Sequence, residues 1–540
     1  DSAAVDKDGL NITSGVNNTS THGSIDVSQL SVLYSIMAIN PKISCLKSAR
    51  EQASSYNEWR EISLELDALT GLDLWKIETS SSQYHHELLR ERMLTLRQWQ
   101  ATHNHKLLIR ALREGLHHDL GNMSNPLLFT RTHVGTKRLI EDFVTQVCAS
   151  MEYLCDAEIE HLSNDEKLAL FEDILSSFGR PALQLSGGAT LGMFHIGVCK
   201  ALDEQGLLPN VISGSSAGSL VASMIGTHTR EEMESYYDGD ALYKHAWSWN
   251  KISDGLRGKG FANQKQLETF IRQNVGELSF QEAFEKTGRH INVSISPVGS
   301  NQKSRLMNEL TSPYLLVWSA VLASCAVPVL FPPVTLTTKT ADGTHSPYMP
   351  LERWVDGSMR SDMPRRRLMR LYNVNYFIAS QVNPHIVPLL ASEQRRSGKA
   401  KIRSLPRRIL KTQARMLGMG TLQTIHDNSR NEVLRQMLSH AYTMISQSYH
   451  GDATIAPNGY TRQHYKHMLQ NPTKESVIWF RQQGERATWP KIDQIRTQSD
   501  ISITLERCIA HLRQRKAHNW HDAEVRAIIS QEKSHKLAKS

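Results

Sequence analysis

Pro181-Ala-Leu-Gln-Leu-Ser-Gly-Gly-Ala-Thr-Leu-Gly192 decides the fold, because a strand, a turn and the entry to a helix follow one another around it. Pro181 to Ser186 reads as a short buried strand, Gly187-Gly188 turns, and Met193 to Gln205 carries a helical pattern stopped by Gly206. The unit repeats at once. Asn210-Val-Ile-Ser213 reads as a strand, Gly214-Ser-Ser-Ala-Gly218 as a turn, and Ser219 to Ile225 opens a helix. Strands alternating with helices imply an α/β layer fold. Further strands expected at His290 to Ser296 and Tyr376 to Val382 extend this domain over residues 178–390.

Upstream, apolar residues recur at three-to-four spacing, as in Leu89, Met93, Leu94 and Leu96 and again in Leu139, Ile140, Phe143 and Val147. That period predicts a helical domain over residues 30–177, with Cys148 and Cys155 in its core. Residues 1–29 are rich in Ser, Thr, Asn and Gly and lack the apolar side chains to offset ordering, so they are expected to be a disordered arm. Residues 391–540 read as basic and mainly helical. A chain of 540 residues thus divides as its length predicts, into several domains.

Composition excludes several classes. Hydrophobic residues at 40% and charged residues at 21% rule out a wholly disordered, collagen-like or multi-span membrane chain. Charge is uneven: residues 1–390 hold 36 basic against 42 acidic residues, and residues 391–540 hold 26 against 12. The basicity belongs to the last quarter, which predicts an anionic surface as its partner. Residues 310–338 carry no charge, but Pro328, Pro332 and Pro333 break the run, so it is expected to be a buried segment rather than a membrane span. Six scattered cysteines supply neither a disulfide framework nor a Cys-x-x-Cys site. With no basic-then-apolar leader visible, the expectation is an intracellular, cytoplasmic protein.

Gly214-x-Ser216-x-Gly218 between a strand and a helix has the form of a nucleophile elbow, whose small flanking residues let the chain turn sharply and lift a serine hydroxyl clear. The same pattern also serves as an ordinary strand-to-helix turn. Gly187, Gly188 and Ala189 precede a helix and could turn their N–H groups toward a developing oxyanion. A nucleotide site is disfavoured, since the glycines match neither G-x-x-x-x-G-K-[ST] nor G-x-G-x-x-G. A serine nucleophile needs a base. Asp356 in Trp354-Val-Asp-Gly-Ser358 is the candidate, with Gly357 allowing the turn, although Asp-Gly is equally a common turn pair. His385 follows in the order Ser, Asp, His of a hydrolase triad, and His195 near the helix start reads as a supporting group.

Together these motifs resemble the patatin-like phospholipase family: Ser186-Gly-Gly-Ala-Thr-Leu-Gly192, Gly214-Ser-Ser-Ala-Gly218 and Asp356-Gly357 stand in the family's order, and Ser319 to Pro333 looks like its Ser/Ala-Pro-Phe-Pro segment. Tyr56-Asn-Glu-Trp59, Asp73 to Lys76, Asn122 to Asn125, Gly135-Thr-Lys137, Gly451 to Ile455 and Leu469 to Pro472 resemble the triacylglycerol lipases of its fungal and plant branch. The resemblance implies a three-layer αβα core between helical flanks. It further implies a Ser216–Asp356 dyad in place of a triad with His385, an oxyanion hole at Gly187, Gly188 and Ala189, an acyl-serine intermediate, and no metal or organic cofactor. Leu191 stands where many members carry Arg or Lys, which tilts the expected substrate toward neutral glycerides and away from phospholipid. Phospholipase A, lysophospholipase or transacylase chemistry remains the alternative, and an idle lipid-binding scaffold the non-enzyme reading.

Arg395 to Arg415 is the densest basic run and contains no acid. It is expected to draw the protein to a membrane or lipid-droplet surface or to serve as a solvated linker, and Arg365-Arg366-Arg367 could extend its reach. Nucleic acid is not expected, because the run lacks interleaved aromatics or a recognition helix.

Overall fold

The computed structural model describes residues 41–160, 162–251, 253, 260–299, 302–358, 362–384, 386–387, 450–458 and 462–537, with side chains described as far as residue 517. Residues 1–53 and 54–540 form separate units. Of the first, residues 41–52 are helical.

The second unit begins with helices α1 (Tyr56–Leu69), α2 (His86–Ala101), α3 (His105–Gly115), α4 (Arg138–Asp156) and α5 (Asn164–Phe178). Local capping sets their starts: the Ser55 hydroxyl accepts the Glu58 N–H, and Ser163 with Glu166 closes a capping box. Leu89, Met93 and Leu96 of α2 and Leu139, Ile140, Phe143 and Val147 of α4 are buried, as their period requires, whereas Leu94 points outward at 54% exposure.

The sheet is built from β1 (Arg180–Leu185), β2 (Val211–Gly214), β3 (His290–Pro297), β4 (Arg305–Met307), β7 (Trp354–Asp356), β8 (Val374–Ser380) and β9 (Ala453–Ile455), while β5 (Leu336–Lys339) and β6 (His345–Tyr348) form a separate hairpin. Its order is β4-β3-β2-β1-β8-β9, with β7 also paired to β3. Helices α6 (Met193–Glu204), α7 (Ala217–Thr227), α8 (Val317–Ser324), α9 (Arg365–Tyr372), α10 (Lys474–Thr488) and α11 (Ile492–Leu537) complete the elements that matter here. Pairing of β1 with β2 and β8, of β2 with β3 and of β8 with β9 is parallel, and β4 and β7 run antiparallel to β3.

Register separates the two faces. Ala182 pairs with Val211, and α9 packs Leu368 and Tyr372 against both. Ile291 points the other way, where Gly226 of α7 rests on it closely enough that a Cβ would come within 2.1 Å of its Cγ1. Helices on both faces make three layers.

Two features draw on residues past 390. Strand β9 adds the outermost strand by pairing Ala453 with Ile378, so the sheet reaches beyond the boundary read from the sequence; a three-residue strand carries too little pattern to be seen there. Helix α10 lies backbone to backbone on α6, where a Cβ on Gly197 would stand 1.8 Å from the Arg481 carbonyl oxygen and one on Gly484 2.1 Å from that of Phe194. Ile501, Leu505, Cys508, Ile509 and Leu512 of α11 complete the core of α2 to α5. The uncharged run folds as expected into the sheet domain: α8 has eight residues and all are buried. Among the described residues no helix is long and apolar enough to cross a membrane.

Candidate active site

Parallel strands deliver their loops to one edge, and β1 lies between β2, reached next in sequence, and β8, reached only after β3 to β7. Crevices at such a switch point are where open α/β sheets bind ligands. The loop after β1 carries Gly187, Gly188 and Ala189; the turn after β2 carries Ser216.

Ser216 has φ 51° and ψ −126°, in the left-handed half of backbone space that a non-glycine residue enters only under constraint. The constraint is visible. Its N–H donates to Ser324 Oγ at 2.9 Å, and that hydroxyl donates onward to the Ser294 carbonyl at 2.7 Å. The Ser216 carbonyl accepts from the Ser219 hydroxyl at 2.6 Å and the Ser219 N–H at 2.9 Å. Flanking glycines are sterically required: a Cβ on Gly214 would lie 2.2 Å from the Gly218 carbonyl oxygen, and one on Gly218 2.2 Å from that of Leu185. The elbow therefore holds Ser216 against strain, 8% exposed, at the start of α7.

Asp356 ends β7 opposite Ile295, and its N–H donates to the Ala326 carbonyl at 3.1 Å. Gly357 lets the chain pass β3, since a Cβ there would stand 2.1 Å from the Ser294 carbonyl oxygen. The Asp356 side chain is 1% exposed and accepts the Ser358 N–H at 2.8 Å, and the Ser216 hydroxyl lies near enough to help stabilise its charge. Burial pushes its carboxyl up to about 6, against the partial relief of those neighbours. The fold thus brings serine and carboxylate, 140 positions apart in sequence, close to one another.

The oxyanion loop needs one correction. The Gly187 N–H is not free: it donates to Asp362 Oδ1 at 3.0 Å. No intramolecular acceptor among the described residues meets the N–H of Gly188 or Ala189. Asp362, 2% exposed, also accepts from Asn383 Nδ2 at 2.6 Å, and its carbonyl accepts the Ser215 hydroxyl at 2.9 Å. It thereby ties the glycine loop, the residue beside Ser216 and the segment after β8 to one point. Burial is the main reason its carboxyl rises to about 7, with the nearby Asp356 charge adding to it.

Beneath the loop, His195 is fully buried between Ser380 Oγ at 2.7 Å and the Ser186 carbonyl at 2.9 Å. A carbonyl only accepts, so Nε2 carries the proton and Nδ1 accepts the Ser380 hydroxyl. Burial pulls the imidazole down to about 4, leaving a neutral clamp. Cys325 lies near Ser216 and Ser219, and burial pushes its thiol well up, so it is an un-ionised neighbour. Sequence reading missed Asp362, Ser324, Asn383 and Cys325 as site residues; only the position of Asp362, six residues after Asp356, could have suggested the first. Leu191 is fully buried, so its place faces the core. His385 and Arg395 to Arg415 lie outside the described residues.

Comparison with family profiles matches residues 183–369 to the patatin-like phospholipase description and residues 36–175 to a domain of unknown function, DUF3336. Triacylglycerol lipase ptl3 of Schizosaccharomyces pombe is 33% identical over 475 residues, which span 85% of this chain and 96% of that one. The chain belongs to the patatin-like phospholipase family. Triacylglycerol lipase 5 of Saccharomyces cerevisiae is 33% identical over 88% of this chain, and triacylglycerol lipase SDP1L of Arabidopsis thaliana 32% identical over 88%. This patatin-like chain spans 66% and 60% of the lengths of those two relatives. The patatin match covers the strands and loops that bring Ser216 and Asp356 together, and the DUF3336 match covers the helical layer before them.

Proposed function

We propose that this chain is a serine hydrolase of glycerolipid acyl esters working through a Ser216–Asp356 dyad, with triacylglycerol as its substrate. The observation that carries the reading is a strained, elbow-held serine placed beside a buried carboxylate and against the glycine loop. Ser216 Oγ attacks the ester carbonyl as Asp356 takes its proton. The N–H groups of Gly188 and Ala189 receive the oxyanion, and Gly187 fixes their loop through Asp362. Collapse expels the alcohol, to which Asp356 returns the proton, and water, activated by the same carboxylate, releases fatty acid from the acyl-serine. No step calls for a metal or organic cofactor.

The substrate class is supported by the similarity to triacylglycerol lipases and by the uncharged, inward-facing Leu191. Incubating purified protein with mixed triacylglycerol emulsion and phosphatidylcholine vesicles, then following lipids by mass spectrometry, should show loss of triacylglycerol at least about tenfold faster than loss of phospholipid. Preferential appearance of lysophospholipid would replace this with a phospholipase A reading. Association with a lipid surface is part of the proposal, and Arg395 to Arg415 is its candidate contact.

Asp362 is proposed as a positioning residue. Asp362→Ala frees the Gly187 N–H and is expected to lower kcat roughly 10-fold to 100-fold with KM little changed, because a displaced oxyanion loop costs the transition state more than the ground state. Asp362→Asn, which keeps an acceptor for Gly187, should lose less. Equal loss in both variants would show that the contact to Gly187 is not what matters.

A further inference from the structure

The run Arg365-Arg366-Arg367 is taken apart by the fold. Arg365 pairs with Asp452 at 3.1 Å and lies over Phe377, Arg366 is exposed, and Arg367 turns toward a cavity of about 380 Å³ beside edge strand β4. Arg305 of β4 and Arg370 of α9 line the same cavity, with Tyr348 and the apolar side chains of Leu306 and Leu371. Among the described residues, none of these three arginines has an acidic partner. Their contacts are neutral: Arg305 lies 5.4 Å from the Trp354 ring centroid and touches Met349 Sδ, and Arg367 donates to the Ser304 carbonyl.

The larger clefts differ. In the one of about 820 Å³, which Arg370 also borders from its other side, Arg180 faces Glu506 at 3.4 Å and Arg513 faces Glu172 at 2.6 Å, and the one of about 660 Å³ mixes Asp73, Glu141 and Asp493 with its bases. Acids stand among the bases of both. Three guanidinium groups around one small cavity repel each other, and a fold keeps them there at lowest cost when an outside anion completes the set. One carboxylate supplies a single charge and fills one fork. A phosphoryl group supplies up to two charges and three acceptor oxygens, enough for several forks.

We propose that Arg305, Arg367 and Arg370 form a binding site for a phosphoryl group, carried either by a lipid headgroup or by a soluble phosphate ester. The cavity opens on the flank of the strand carrying Asp356, since Trp354 beneath Arg305 is two residues from it. Leu306 and Leu371 give the rest of the ligand an apolar floor. The site is separate from the Ser216 elbow and does not depend on its chemistry.

The test uses the full chain, with inorganic phosphate in calorimetry against chloride of equal ionic strength, and co-sedimentation with vesicles of phosphatidylcholine alone or with phosphatidic acid. Variants are Arg305→Gln with Arg370→Gln, leaving the Arg367 contact to the backbone intact, and Arg366→Gln as a basic control outside the cavity; circular dichroism confirms folding. Phosphate affinity is expected to fall at least tenfold in the double variant and to stay unchanged in the control. A parallel loss of phosphatidic-acid-dependent sedimentation identifies the headgroup as a source, and phosphate binding without vesicle discrimination identifies a soluble ester. Wild-type protein that binds neither probe, or a double variant that binds both as wild type does, overturns the proposal.

Discussion

Ser216→Ala is expected to lower ester hydrolysis by roughly three orders of magnitude or more, because it removes the elbow hydroxyl that stands beside the buried Asp356 carboxylate and the glycine loop. The substitution removes one oxygen from a residue whose strain the surrounding hydrogen bonds already bear, so folding should be retained. Combining it with Asp356→Asn should add little, since nucleophile and base act as one unit and removing either removes the unit. Steady-state turnover of a short-chain ester, with thermal unfolding measured beside it, checks both statements. A single variant retaining more than about a tenth of wild-type turnover would place the chemistry elsewhere.

Asp356→Asn is expected to reduce turnover on the same scale while making the protein more stable at neutral pH. Burial raises the folded carboxyl to about 6, whereas an unfolded aspartate titrates near about 3.9. The folded state thus holds the proton more tightly. The side chain favours folding least once it is charged, and its contribution declines as pH rises from about 4 to 6. Above that window, holding the charge in the core costs on the order of 3 kcal/mol. An uncharged amide avoids the cost, so the gain in unfolding free energy should appear at pH 7 to 8 and vanish near pH 4. The same titration governs activity with the opposite sign: the base works only when ionised, so kcat/KM should rise with pH to a plateau above about 6. Denaturant unfolding at both pH values and a pH–rate profile test the two limbs. A variant less stable than wild type at pH 8, or a rate that falls between pH 5 and 7, would contradict the assignment of Asp356 as a buried, ionisable base.

What the sequence made legible was local. The elbow glycines and Ser216 fall within five residues, and the strand before them is a compact apolar run, so one turn exposed both the α/β alternation and the candidate nucleophile. Asp356-Gly357 was legible for the same reason, a short turn in a recognisable order. Asp362 was not, because nothing near it in sequence shows that its carboxylate reaches back 175 positions to the Gly187 N–H. Strand β9 was missed because Ala453–Ile455 is too short for period or propensity to register, and only pairing with Ile378 to Ser380 makes it a strand. Cys155 was correctly placed in a helical core, but the C-terminal helix that closes that core lies 353 positions away at Cys508, beyond any local pattern. Leu94 matched the helical period by number yet points outward, since period sets a face and packing decides its width. The arginine run after Asp356 looked like one basic surface, and the fold gave its members three different environments.

The most direct test of the central claim, a nucleophilic Ser216 activated by Asp356, is labelling with a fluorophosphonate ester followed by peptide mass spectrometry. Wild-type protein should carry one phosphonyl adduct, on Ser216, formed at a rate that rises through the Asp356 titration near pH 6. Ser216→Ala should carry none, and Asp356→Asn should label at least about a hundredfold more slowly. An adduct on another residue, or equally fast labelling of Ser216 without the Asp356 carboxylate, would contradict the dyad.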